Sequence, residues 1–247
     1  ASIDLKENDV LVFVSDGVLY ASAGQLLNLN WKWEDIAKHL KINVRDSMSA
    51  LDIKNNLLGV CDQMYLFEPG DDTTVCVLKA VKPKKVKLFT GPPSHKEDDA
   101  KVVHELMNNA DIRIVSGGTT SQIVARELGV EVKSSTEIYD KEVPPIAYIQ
   151  GVDLVTEGVL TLSKTIDRLK SLSKSLDSDI FKAKDGASQM AKLLYSASHI
   201  KLLVGRSLNI ANAESSFQRD LELRLHVVGE LEKILVKLGK IVTVEYY

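Results

Sequence analysis

Between residues 86 and 247, short apolar runs rich in β-branched residues alternate with amphipathic stretches. This alternation limits the fold more than any other feature of the chain. Residues 86–89, 112–115, 200–204 and 241–246 read as strands, and 146–149 as extended. Residues 97–107, 121–128, 158–172, 187–198 and 221–238 carry apolar side chains at helical spacing, and Gly129 and Gly239 close two of these helices. Strand–helix alternation of this kind predicts an α/β fold. The expected architecture is a three-layer, Rossmann-like domain over 86–247 with a mostly parallel sheet.

Ligands of such sheets bind at the carboxyl ends of the strands. Three glycine loops leave those ends: Thr90-Gly91-Pro92-Pro93, Ser116-Gly117-Gly118-Thr119-Thr120 and Gly205-Arg206-Ser207. The middle one sets two glycines and two threonines at the start of a helix. Backbone N–H groups and hydroxyls gather there, a ready site for an anion. Gly117, Gly118, Thr119 and Thr120 are therefore candidate contacts for a small phosphate-bearing ligand, with Arg206 as a bidentate partner. The other reading is plain geometry: glycines allow the tight turn and Thr caps the helix. Gly-Gly-Thr-Thr is neither a dinucleotide fingerprint nor a P-loop. Asp153 and Glu157 flank a helix start, where the helix dipole favours carboxylates, and acid–base work by this pair is the lesser reading. The five histidines show no ligand spacing, and no Gly-x-Ser-x-Gly occurs.

The first third of the chain differs in charge. Residues 1–80 carry 7 Lys+Arg against 12 Asp+Glu, whereas 81–247 carry 24 against 22. Five lysines around Pro83 lie between, over residues 79–87, and read as a solvated linker plus the edge of a strand, with 81–85 as the linker proper; a phosphate or nucleic-acid patch is the lesser reading. In the acidic part, residues 10–14 form a buried strand that ends in Ser15-Asp16-Gly17. Helical spacing follows over 33–40 and over 49–65, where Leu51, Leu58 and Cys61 stand among the apolar positions. Glu68-Pro69-Gly70-Asp71-Asp72-Thr73-Thr74 then turns the chain into a second strand, 74–78. If the two strands are antiparallel neighbours, Asp16 meets Asp71 and Asp72 at one end. Clustered carboxylates repel, and such a corner suits a hard divalent cation; alternatively each Asp serves only its own turn.

The segments Val-Ser-Asp-Gly-Val at 14–18 and Gly-Asp-Asp-Thr-Thr-Val at 70–75 resemble the last two metal motifs of the PPM family of metal-dependent serine/threonine phosphatases. The nearest branch is that of stage II sporulation protein E. The resemblance covers residues 1–80 and implies a partial α+β phosphatase segment, β-α-α-β. It implies that Asp16 and Asp71 bind Mn²⁺ or Mg²⁺, with Asp72 beside the ligand where the family often has Asn or Asp. It also implies that Gly24 and residues 28–33 form a variable loop and helix near the site, and that the substrate is a phosphoserine or phosphothreonine protein. The family draws further metal aspartates from an N-terminal half with its own Asp-Gly, which has no counterpart in these 247 residues. The expectation is thus a C-terminal piece of a longer phosphatase, inactive alone, whose bare strand edges pair with another copy. Gly-Pro-Pro, Gly-Gly-Thr-Thr and the run at 156–164 are similar to an extra C-terminal domain in such proteins of anaerobic bacteria, for which the resemblance implies no role.

Other classes recede. No apolar run reaches about 18 residues and no signal-peptide layout opens the chain, so a cytoplasmic protein off the membrane is expected. Two cysteines make no disulfide framework. A net charge of −3 disfavours a general nucleic-acid binder.

Overall fold

The computed structural model describes residues 2–21, 31–68, 70–172, 182–207 and 214–247, with the side chains of 172 and 214–219 left aside. Gly24, Pro69 and residues 28–30 lie outside these. The chain divides into two compact units, residues 1–82 and 83–247.

The first unit holds strand β1 (Val10–Val14), the short helix α1 (Asp16–Leu19), helices α2 (Trp33–Asn43) and α3 (Ala50–Met64), and strand β2 (Val75–Lys79). The two strands pair antiparallel, Val10 opposite Lys79 and Val14 opposite Val75. Because side chains alternate across a strand, Val12, Val14 and Val75 turn toward the helices. There they meet Val18, Ile36, Leu57, Cys61 and Tyr65. The opposite face leaves Phe13 56% and Leu78 52% exposed. Ser49 starts α3 with a reciprocal cap. Its Oγ accepts from Asp52 N at 3.1 Å, and Asp52 Oδ2 accepts from Ser49 N at 2.8 Å. Such a cap is worth about 1 kcal/mol. These bonds hold the Asp52 carboxyl below its ordinary range. The buried stripe of α3 is Ile53, Leu57 and Cys61, spaced by four; Leu51 and Leu58 are only half-buried.

The second unit is mixed α/β around a seven-stranded, mostly parallel sheet. Its strands are β3 (Lys85–Thr90), β4 (Ile112–Ser116), β5 (Lys133–Ser134), β6 (Ala147–Tyr148), β7 (Leu154–Thr156), β8 (His199–Val204) and β9 (Ile241–Tyr246). They lie in the order β5-β6-β7-β4-β3-β8-β9, parallel from β7 to β9 and antiparallel at β5 and β6. Helices α4 (Asp99–Met107) and α5 (Gly118–Leu128) cover one face through Val102, Leu106 and Val124. Helices α6 (Val159–Leu172), α7 (Gly186–Ser196) and α8 (Glu214–Lys237) cover the other through Leu162, Leu169, Met190, Leu194, Leu231 and Leu235. The chain starts at the central strand β3 and winds out through β4 to β7. It then returns over α6 and α7 to β8, on the far side of β3. The order therefore reverses between β3 and β8, as in a doubly wound sheet.

Two expectations change. The extended segment at 146–149 is only the two-residue strand β6, and the parallel neighbour of β4 is β7, whose three residues are too few to show a period. The lysine-rich stretch 79–87 holds the expected linker and strand edge, but its charges are not all solvated. Lys85 and Lys87 belong to β3, and Lys87 is 8% exposed. Its ammonium donates to Glu105 O (2.7 Å), Glu105 Oε1 (2.6 Å) and Asn108 O (2.7 Å), which uses all three of its donors. Glu105 also meets Lys201 at 2.8 Å, and Lys201 meets Glu245 at 2.6 Å. This chain of charges holds the Glu105 carboxyl below its ordinary range.

Candidate functional site

The antiparallel register sets the exit of β1 beside the entry to β2, and a hydroxyl locks the junction. Ser15 Oγ donates to Asp72 O at 3.0 Å and accepts from Thr74 N at 2.9 Å, while Ser15 N donates to Thr74 O at 3.0 Å. Gly17 closes the corner so tightly that a Cβ there would stand 2.5 Å from Asp72 O. Tyr65, buried at the end of α3, donates its hydroxyl to Gly17 O at 2.8 Å. Burial pushes this phenol above its ordinary range; the charges of Asp71 and Asp16 push the same way, against a hydrogen bond with Thr73. Asp16, Asp71 and Asp72 are all exposed on this one corner. Each of two carboxylates is partly engaged: Asp16 Oδ1 accepts from Gly17 N at 3.1 Å, and Asp71 Oδ1 from Asp72 N at 2.8 Å. The second oxygen of each is left for another partner, and oxygen donors of this kind suit Mg²⁺ or Mn²⁺. Among the described residues, no three His, Cys, Asp or Glu side chains gather closely enough to hold a metal ion. Asp16 and Asp71 thus offer oxygen donors of the type a hard cation takes, but by themselves they do not make a metal site.

In the second unit a cleft of about 140 Å³ lies at the carboxyl ends of β3, β4 and β7. The loops Thr90-Gly91-Pro92 and 116–120, the start of α6 at 157–159 and Arg224 of α8 border it. Gly117, at φ 122°, turns the chain from β4 into α5. Its N–H donates to Thr156 O at 2.9 Å. Thr120 is buried and its Oγ1 accepts from Gly91 N at 2.9 Å, so this hydroxyl ties two loops together. Gly118 and Thr119 are exposed at the first turn of α5, where N–H groups have no acceptor within the helix. A further hollow of about 260 Å³ shares Gly118 and Glu157 with the cleft.

Arg206 is not among the residues bordering the cleft. It is exposed and lies over the Tyr246 ring, 5.6 Å from the centroid. The cation at the cleft is Arg224, half-buried, whose Nη1 donates to Gly205 O at 3.2 Å. Burial draws its guanidinium below the ordinary range, opposed by the charge of Asp220. The signal for it was in the sequence. Arg224 precedes Val227, Val228 and Leu231 by three, four and seven residues, so it shares their buried stripe. Asp153 and Glu157 do not work together. Asp153 Oδ2 accepts from Arg113 N at 2.7 Å before β7 begins, whereas Glu157 follows the last residue of β7 at the cleft.

No described helix is long and apolar enough to cross a membrane. No family model matches the chain, and neither a curated protein nor a solved structure matches it.

Proposed function

We propose that residues 1–80 are the C-terminal part of a PPM-type metal-dependent protein serine/threonine phosphatase of the stage II sporulation protein E branch. One observation supports the reading: the antiparallel β1–β2 register sets the chain leaving β1 at Asp16 beside the chain entering β2 after Asp71 and Asp72. Asp16 and Asp71 would hold Mn²⁺ or Mg²⁺, and Asp72 would stand beside them. When bound, such ions supply a hydroxide nucleophile at neutral pH. This chain's own part is to fix two carboxylates through the Ser15 lock and the Gly17–Tyr65 contact. The substrate would be a phosphoserine or phosphothreonine protein in the cytoplasm. The outer edges of β1 and β2 have no strand partner among the described residues, which supports pairing with a second copy.

A calorimetric titration with Mn²⁺ tests the reading. With two carboxylates available, binding near the millimolar range is expected, abolished by Asp16→Asn, and hydrolysis of p-nitrophenyl phosphate by the chain alone is absent. No Mn²⁺ heat, or heat indifferent to Asp16→Asn, sinks it.

The cleft at the carboxyl ends of β3, β4 and β7 favours a second role, a module in residues 86–247 that binds a phosphate-bearing small ligand. Gly118, Thr119 and the half-buried Arg224 support it. Stabilisation by sugar phosphates that disappears in both Gly118→Val and Arg224→Gln is the expected result; no stabilisation by any phosphate ester rejects the role.

A further inference from the structure

Buried donors without acceptors are rare in folded chains and call for an explanation. Two of them border one hollow in the second unit, away from the cleft at the ends of β3, β4 and β7. Arg168 of α6 gives Nη2 to Asp140 Oδ2 at 2.9 Å, yet its Nε is buried with no partner. Ser188, in the first turn of α7, is 0% exposed, and its Oγ has no partner either. The backbone N–H of Ser188 is already bonded to Asp185 Oδ1, at 2.9 Å. Both side chains line a hollow of about 430 Å³ that Tyr139, Asp140, Lys184 and Asp185 also border. Lys184 is exposed, with its ammonium 6.0 Å from the centre of the Tyr139 ring.

The charges sort into used and unused groups. Asp140 is neutralised by Arg168, and Asp185 caps α7. A guanidinium N–H, a hydroxyl and an ammonium remain, all donors and two of them cationic. Donors of this kind select a group that brings negative charge and accepting oxygens. The hollow is far larger than the roughly 30 Å³ share of one water molecule.

We propose that this hollow binds an oxyanion, the phosphate or carboxylate of a small metabolite, through Arg168 Nε, Ser188 Oγ and Lys184 Nζ. The site is separate from the phosphatase corner and stands whether or not that reading holds. Ser188→Ala carries a second expectation. It removes an unpaired buried hydroxyl, so the ligand-free protein melts no lower than wild type while it loses affinity.

The test is calorimetry on the 247-residue chain with inorganic phosphate and, in a parallel arm, acetate. Binding is expected for at least one anion, and the stronger arm identifies the class. Ser188→Ala and Lys184→Gln each weaken it by about tenfold or more, the range of a hydrogen bond to a charged group, while Lys82→Gln, an exposed lysine that borders neither hollow, leaves it unchanged. Lys184 is exposed, so its substitution tests the site even if Ser188→Ala fails to fold. No binding tighter than about 10 mM for either anion overturns the proposal. Binding indifferent to Ser188→Ala and Lys184→Gln overturns it as well, and so does binding lost only in Arg224→Gln, which assigns the anion to the other cleft.

Discussion

Lys87 shows how one side chain changes role between sequence and structure. In a run of five lysines around Pro83 it has every mark of a solvated charge, but its place in β3 turns it toward α4, where three oxygens receive it. A buried ammonium is tolerable only when fully bonded, and breaking such a set costs about 3–5 kcal/mol. Lys87→Ala should therefore lower the unfolding free energy by about 3 kcal/mol in urea titrations, whereas Lys82→Ala, an exposed residue, should change it by less than about 0.5 kcal/mol. Cys61 gives a pH signature. Burial, with the Asp62 charge adding, pushes its thiol from 9.0 to about 11. The folded chain then holds this proton where the unfolded chain releases it. The contribution is complete below pH 9 and falls away as pH rises from 9 to 11, on the order of 2 kcal/mol. Melts of wild type and Cys61→Ala over that range should converge as this contribution disappears. In native conditions a thiol reagent should modify the exposed Cys76 quickly and the buried Cys61 only on unfolding.

Elements were legible where they are long and strongly periodic. The strands of the sheet centre, the helices of both faces and the convergence of β1 with β2 all follow from apolar spacing and turn residues. What escaped has physical reasons. β7 is only three residues long, and its place beside β4 depends on pairing that no local pattern encodes. Helix α5 begins at Gly118, because Gly117 at φ 122° makes the turn, so the two glycines straddle the helix start. Arg206 follows a strand and has the sequence context of an anion ligand, but the ring of Tyr246 takes it. Arg224 reaches the cleft from a helix 19 residues beyond Gly205; helical spacing marks its place on the buried stripe, but not which loop it meets. The meeting of the Asp16 turn with the Asp71–Asp72 turn was the more legible arrangement, because the antiparallel register alone sets one beside the other. Its fit depends on Gly17. Gly17→Ala puts a methyl 2.5 Å from a backbone oxygen that cannot step aside. A loss of about 1–3 kcal/mol is expected, with the β1–β2 pairing the first to open in hydrogen exchange.

Across the whole molecule, charge and chemistry divide with the two units. The acidic excess belongs to the first, which presents three aspartates at one corner and an apolar sheet face on its other side. The second unit is close to neutral and holds its donors in two separate hollows. The central claim is that Asp16 and Asp71 act as one cation site. Paramagnetic broadening tests it most directly: trace Mn²⁺ is added to the isotope-labelled chain, and amide signals are followed by nuclear magnetic resonance. The account predicts that residues 15–18 and 71–74 broaden first and together, and that Asp16→Asn removes the effect at both segments. Broadening spread evenly over the acidic surface, or confined to one of the two segments, contradicts it.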